Sequence, residues 1–461
     1  FRNSKMTNDA KVDFVIEKSE CQQKFLYRRF LVALLSEWSL MPELLDRNLF
    51  AHQNLLNILF DSLYYRTSDN DLIFNWMIAQ QVFSLGILRN LLNILPEEVF
   101  LMAHNRLMNE SLANRDKKWT TSVNGIYDSF SSSNVDDFLS IEITKNDYLK
   151  YLILLGWMCT STYPFIRGRL LRYLVSLLEK SPNLSQKALE LFASCNDMYV
   201  VEMIVCSIYG YLLRNRDKNE CTKIASLILN NFYVDGKAPY DILVRQWTML
   251  ILQYADYLNG DQAFWRKINI PFKTEDPYSL ISSRLDGDKG YFGSSDGSKR
   301  LYYTLCDFSD FNRYILGANL DSDSQIFYKK DGKVYQRIPL QDIRDIMANI
   351  IMNEYCWNDE LGELDKGIYS TSRYDNKIER FGKKYLWMAL YKTDALLCDH
   401  CAVSKGKYYG FGLSKQKDMA VIPYPWLTSE HSTIDPSLLV EKEDDLISFN
   451  ANLLEDVDGI D

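Results

Sequence analysis

Four histidines, at positions 52, 104, 400 and 431, and nine cysteines bound the chemistry this chain of 461 residues can perform. The tightest set is Cys398-Asp399-His400-Cys401, whose thiol and imidazole spacing is of the kind zinc sites use. A structural zinc takes four ligands, and only the isolated Cys356 and His431 stand elsewhere, so the stretch reads as a helix end with buried thiols. Gly290-Tyr-Phe-Gly293-Ser-Ser-Asp-Gly297-Ser-Lys299 has the glycine content of a phosphate loop. It lacks the four-residue gap and the Gly-Lys-Ser/Thr that opens a helix, and it reads as a mobile loop. His52 and His104 fall in helical patterns, and His431, near Asp435, is accompanied by no Gly-x-Ser-x-Gly elbow and no catalytic-cysteine signature. No active site, metal or cofactor is expected within this chain.

Arg373, Lys377, Arg380 and Lys384 follow one another at spacings of 4, 3 and 4, which places four cations on one face of a helix expected over 372–397. Ile378, Phe381, Tyr385, Met388 and Ala389 mark the opposite, packed face. The cations, joined by Lys383, are expected in solvent. They either pair with Asp375 and Glu379 or hold an acidic partner or phosphate. Thirty tyrosines and nine tryptophans form a high aromatic load that serves cores and interfaces alike. Tyr199, Tyr209 and Tyr240 are the alternative contact residues.

The elements that would position these groups are mostly helices. From about 22 to 260, apolar residues recur at three and four, broken by short polar joints. Ile166, Leu170, Leu174, Leu177 and Leu178 share a face behind Pro164. Asn196-Asp197 can cap the helix that carries Val201, Val205, Ile208 and Leu212. Asn259-Gly260 stops a helix over about 240–258. The expected fold is mainly α, an irregular TPR-like helical-repeat solenoid with a smaller α+β C-terminal part. Its parts are an N-terminal helical block over 1–145 ending in a long polar loop (109–146), helical hairpins over 146–260, the α+β part over 261–440 and an acidic tail over 441–461. Strands are expected at 301–306, 325–328, 334–338, 407–413 and 419–423, the second and third forming a hairpin across Lys330-Asp331-Gly332-Lys333.

The formal charge is −9, but residues 441–461 carry −7 of it, leaving −2 for the body. Such a body lacks the positive field of nucleic-acid binders. The scattered, odd number of cysteines suits a reducing cytoplasm, and no apolar run spans a bilayer. A chain that opens on Phe1 reads as excised from a larger protein.

Residues 196–203 (Asn-Asp-Met-Tyr-Val-Val-Glu-Met), Tyr209-Gly210, Asp241-Ile-Leu-Val-Arg245, Ile378-Glu-Arg-Phe-Gly-Lys-Lys-Tyr-Leu-Trp387 and Ile434-Asp-Pro-Ser-Leu-Leu439 occur in an order that resembles the C-terminal region of the Avs family of antiviral STAND NTPases. The resemblance covers roughly 145–440. It implies a prokaryotic, cytoplasmic sensor that binds a phage protein, either the large terminase subunit or the portal. In the whole protein, such binding drives an NTPase into a homo-tetramer and switches on an upstream effector. This chain has no Walker motif and no effector segment, so ATP and magnesium would belong to the part upstream. A nucleic-acid-binding or scaffolding helical-repeat module, and a hydrolase hidden in the C-terminal part, are the competing classes.

Overall fold

The computed structural model describes residues 7–19, 97–125, 148–181, 183–268, 271–307, 309, 311–317, 326–330, 333–366, 379–404 and 421–423. It is mainly helical. The helices are α1 (Asn8–Ser19), α2 (Glu97–Asn109), α3 (Leu112–Arg115), α4 (Thr121–Gly125), α5 (Tyr148–Met158), α6 (Pro164–Lys180) and α7 (Asn183–Phe192). They continue with α8 (Met198–Asn215), α9 (Lys218–Phe232), α10 (Ile242–Asn259), α11 (Asp296–Cys306), α12 (Leu340–Asn349), α13 (Asp359–Lys366) and α14 (Phe381–His400). Among the described residues, no helix is long and apolar enough to cross a membrane.

The chain divides into two compact units, 1–110 with 121–154, and 111–120 with 155–461. In the first, α1 buries Val12 and Val15, and α2 buries Phe100, His104 and Leu107. The second holds every group discussed below.

Within the second unit, α6, α8 and α10 pack side by side in one row, and α7 and α9 form a second row against them. The local causes are in the sequence. Pro164 opens α6, where its missing N–H has no helical partner to lose. Asp197, Asp217 and Asp241 cap α8, α9 and α10, each carboxylate accepting backbone N–H groups of the first turn. Gly260, in the left-handed conformation at φ 72°, ends α10.

Helix α14 lies among α10, α11, α12 and α13. Fifteen of its twenty residues are buried, Lys384, Lys392 and Asp394 among them, so its burial depends on partners for these charges. Its first turn has no cap of its own. Instead the Asp365 carboxylate at the end of α13 accepts the N–H groups of Phe381 and Gly382. α11 and α13 approach so closely that a Cβ on Gly297 would meet the Gly362 carbonyl.

Four short strands, β1 (Ile326–Lys330), β2 (Lys333–Arg337), β3 (Cys401–Ser404) and β4 (Val421–Pro423), pair antiparallel in the order β2-β1-β3-β4. Two expectations are overturned. Residues 301–306 are helical, because the Ser295 hydroxyl caps Ser298 and starts α11 ahead of them, with Leu301, Tyr302 and Leu305 facing the core. The polar stretch from 109 is helical up to Gly125, through α3, a π-helical turn (Asp116–Thr120) and α4. The expected strand at 407–413 and the tail lie outside the described residues.

Candidate functional site

The basic strip does not form one helical face. α14 begins at Phe381, and Arg380 precedes it with extended backbone (φ −65°, ψ 151°), so the spacing across Arg380 is not helical. Arg373 and Lys377 lie outside the described residues. Arg380 is partly buried and donates to the Thr304 hydroxyl at 3.3 Å. Lys383 is partly exposed, 3.5 Å from Glu379. Lys384, expected in solvent, is fully buried.

Its ammonium group donates to Asp116 Oδ1 at 2.8 Å, Asp197 Oδ2 at 2.7 Å and the Thr160 carbonyl at 3.1 Å. Asp197 is shared: its other oxygen caps α8 by accepting the Tyr199 N–H. Arg115 donates to Asn196 and lies 4.0 Å from Asp197, its guanidinium 5.2 Å from the Trp157 ring. Burial pushes the Asp116 carboxyl above the usual carboxylate range while Lys384 opposes it. The cluster ties α14 to the π-helical turn after α3 and to the turns that precede α6 and α8, which is a packing role.

Tyr199 is buried as well, with Arg167 4.1 Å and Lys384 5.5 Å from its ring, so it is no surface contact. Tyr240 lies 4.9 Å from the Lys392 ammonium, which also pairs with Glu354 and Glu275. Tyr209 differs. It sits partly exposed between Trp247 (5.9 Å) and Tyr254 (6.5 Å), and Tyr254 stacks on Tyr257 at 6.3 Å. Tyr257 is 79% exposed, the most exposed large apolar side chain among the described residues. Sequence reasoning missed this ladder: Tyr254 and Tyr257 fall in the helix expected over about 240–258, but neither is among the contact residues that the sequence singles out.

The Cys398–Cys401 stretch is built into the fold. Asp399 forms a buried two-pronged pair with Arg245, both contacts 3.1 Å, and also accepts from Phe272 N–H and the Thr274 hydroxyl. His400 Nε2 lies 3.1 Å from the Thr274 hydroxyl and 3.2 Å from its carbonyl, and the ring stacks on Tyr328. Burial pushes the Cys398 thiol far up, away from the thiolate a metal needs. Among the described residues, no group of three or more His, Cys, Asp or Glu could hold a metal ion.

The glycine loop, read as mobile, is tied down. Ser294 N–H, its hydroxyl and Ser295 N–H all donate to Asp359 at 2.9 Å, which holds that carboxyl well below its ordinary range. A carboxylate of the chain therefore takes up the loop N–H groups just ahead of α11, and the Ser295 hydroxyl takes the Ser298 N–H of its first turn.

Two carboxyls in the stack are displaced upward. Burial, with Asp241 adding and Arg167 opposing, raises Glu202 to about 8. Burial raises Asp241 to about 7 against its hydrogen bonds from Val244 and Leu243.

Comparison with family models, with curated proteins and with solved structures returns no match.

Proposed function

We propose that this chain is a target-recognition module that binds a folded protein along its helical stack and performs no chemistry of its own. We read 146–260 as TPR-like hairpins and 261–440 as an α+β part. The observation that carries the reading is the ladder Tyr209, Tyr254, Tyr257, which rises from the core to an exposed ring on neighbouring helices of one row. Aromatic side chains that are rigid at the base and open at the tip are the usual anchors of protein interfaces. The titratable clusters Lys384–Asp116–Asp197 and Arg245–Asp399 are spent on packing, which agrees with a recognition role.

The resemblance to the Avs family gives the partner: a phage large terminase subunit or portal protein, sensed for an upstream NTPase that uses ATP and magnesium and assembles as a tetramer in the prokaryotic cytoplasm. The contact surface is centred on Tyr257, with Lys383 and Arg380 as secondary candidates. Size-exclusion chromatography of the chain mixed with each phage protein tests this. Co-elution with one of them, lost on Tyr257→Ala, supports the reading, and separate elution from both overturns it.

A further inference from the structure

The end of α9 carries a second exposed apolar feature, on the other helix row. The chain leaves Phe232 through a turn, Val234–Gly236, in which Asp235 and Gly236 have positive φ (56° and 80°). The turn holds Val234 47% exposed. Beside it lies a depression of about 290 Å³ lined by Ser226, Leu229, Asn230, Tyr233, Val234 and Lys267.

Its floor is rigid. The Tyr233 hydroxyl is 2.7 Å from that of Thr248, and its ring meets Phe272 at 5.6 Å, within a small core of Ala238, Met249 and Phe272. Its rim is basic. Lys267 lines the depression, the Lys273 side chain lies along Gly236 while its N–H donates to the Gly236 carbonyl at 2.8 Å, and Lys237 follows in sequence. All three lysines are exposed, and Asp235 is the one acid in residues 226–237. The carboxyl end of α9 adds roughly half a negative charge and Asp235 a full one, which the Lys267 and Lys273 ammonium groups still outweigh.

The volume sits at the bottom of the range for small-molecule pockets, about 300–1,000 Å³, and suits a single side chain. A seat walled by Leu229, Val234 and the Tyr233 ring, with Lys267 on its lining and Lys273 beside the adjoining turn, selects an apolar residue flanked by carboxylates. We propose that this depression is a docking site for an acidic segment of another protein that presents one apolar side chain of leucine size between acidic neighbours. The site is independent of whichever protein the tyrosine ladder reads.

The test uses the full chain and a fluorescein-labelled peptide, acetyl-Asp-Asp-Leu-Asp-Asp, followed by anisotropy at low salt. The expected result is saturable binding that weakens at least about tenfold when the leucine is replaced by alanine, and by as much on Lys267→Glu with Lys273→Glu. Val234→Asp, also exposed, should abolish it while leaving the circular dichroism unchanged. Absence of saturation at millimolar peptide overturns the proposal. So does equal binding of the leucine and alanine peptides, which is ionic adsorption only, or undiminished binding to the doubly reversed chain.

Discussion

Lys384 and Asp399 stand fifteen residues apart on α14, about 22 Å along the helix axis, and each closes a buried ion pair with the N-terminal end of a different helix of the stack. Lys384 meets the cap of α8 and Asp399 meets the first turns of α10. The helix is pinned at both ends.

Removing Lys384 takes the bridging ammonium from two buried carboxylates and leaves Asp197 with Arg115 at 4.0 Å, so Lys384→Ala should lower unfolding stability by roughly 3–5 kcal/mol. Asp399→Asn should cost a similar amount by stranding Arg245. Because the pins are far apart, the two losses should add to within about 0.5 kcal/mol in urea titrations. A Lys384→Ala loss below about 1 kcal/mol contradicts the burial of this pair.

Glu202 takes up a proton on folding, its value moving from 4.5 to about 8. Its contribution to stability is therefore complete below about pH 4.5 and is lost as pH rises through about 8. Glu202→Gln carries no such proton, so the stability of the native chain relative to this variant should fall steadily between those limits. Urea midpoints at pH 5, 7 and 9 measure it, and parallel curves for the two proteins would count against the raised value.

Tyr257 separates recognition from folding. Tyr257→Ala should change stability by less than about 0.5 kcal/mol, as exposed substitutions do. It should weaken partner binding by about 2 kcal/mol or more if the ring is an anchor. Unaltered affinity in calorimetry would move the contact surface elsewhere.

Gly297 is required by geometry, because a methyl group there meets the Gly362 backbone instead of a flexible side chain. Gly297→Ala should lower stability by about 1–3 kcal/mol through the separation of α11 from α13. A melting temperature equal to that of the native chain would show that the helices part at no cost.

The helices were legible because their signals are local: Pro164, Asp197 and Gly260 each mark a helix end through their own backbone chemistry. Residues 301–306 were misread for the opposite reason. Leu-Tyr-Tyr-Thr-Leu-Cys is rich in residues that suit strands, and the Ser295 cap that decides for helix lies before it. Lys384 was misplaced because spacing gives the relative faces of residues only while the helix continues, and this one starts after Arg380. The Asp116 and Asp197 carboxylates that draw it inward are distant in sequence, so no local pattern could announce them. Tyr257 was passed over because a single aromatic outside the apolar stripe has no period.

The Lys384 cluster also sets an order of events during synthesis. Asp116 precedes its partner by 268 residues and Asp197 precedes it by 187. At about 5–20 residues per second, a ribosome needs on the order of 10–50 s to deliver Lys384 after Asp116. Throughout that interval the two carboxylates lack the Lys384 ammonium that bridges them in the finished fold, so the π-helical turn of Asp116 and the turn before α8 are not yet joined to α14. Contacts of such sequence separation are slow to close even in the finished polypeptide. The early helices can form as they emerge, but the docking of α14 completes the fold late, and the apolar faces of α10 through α13 wait for it in the meantime.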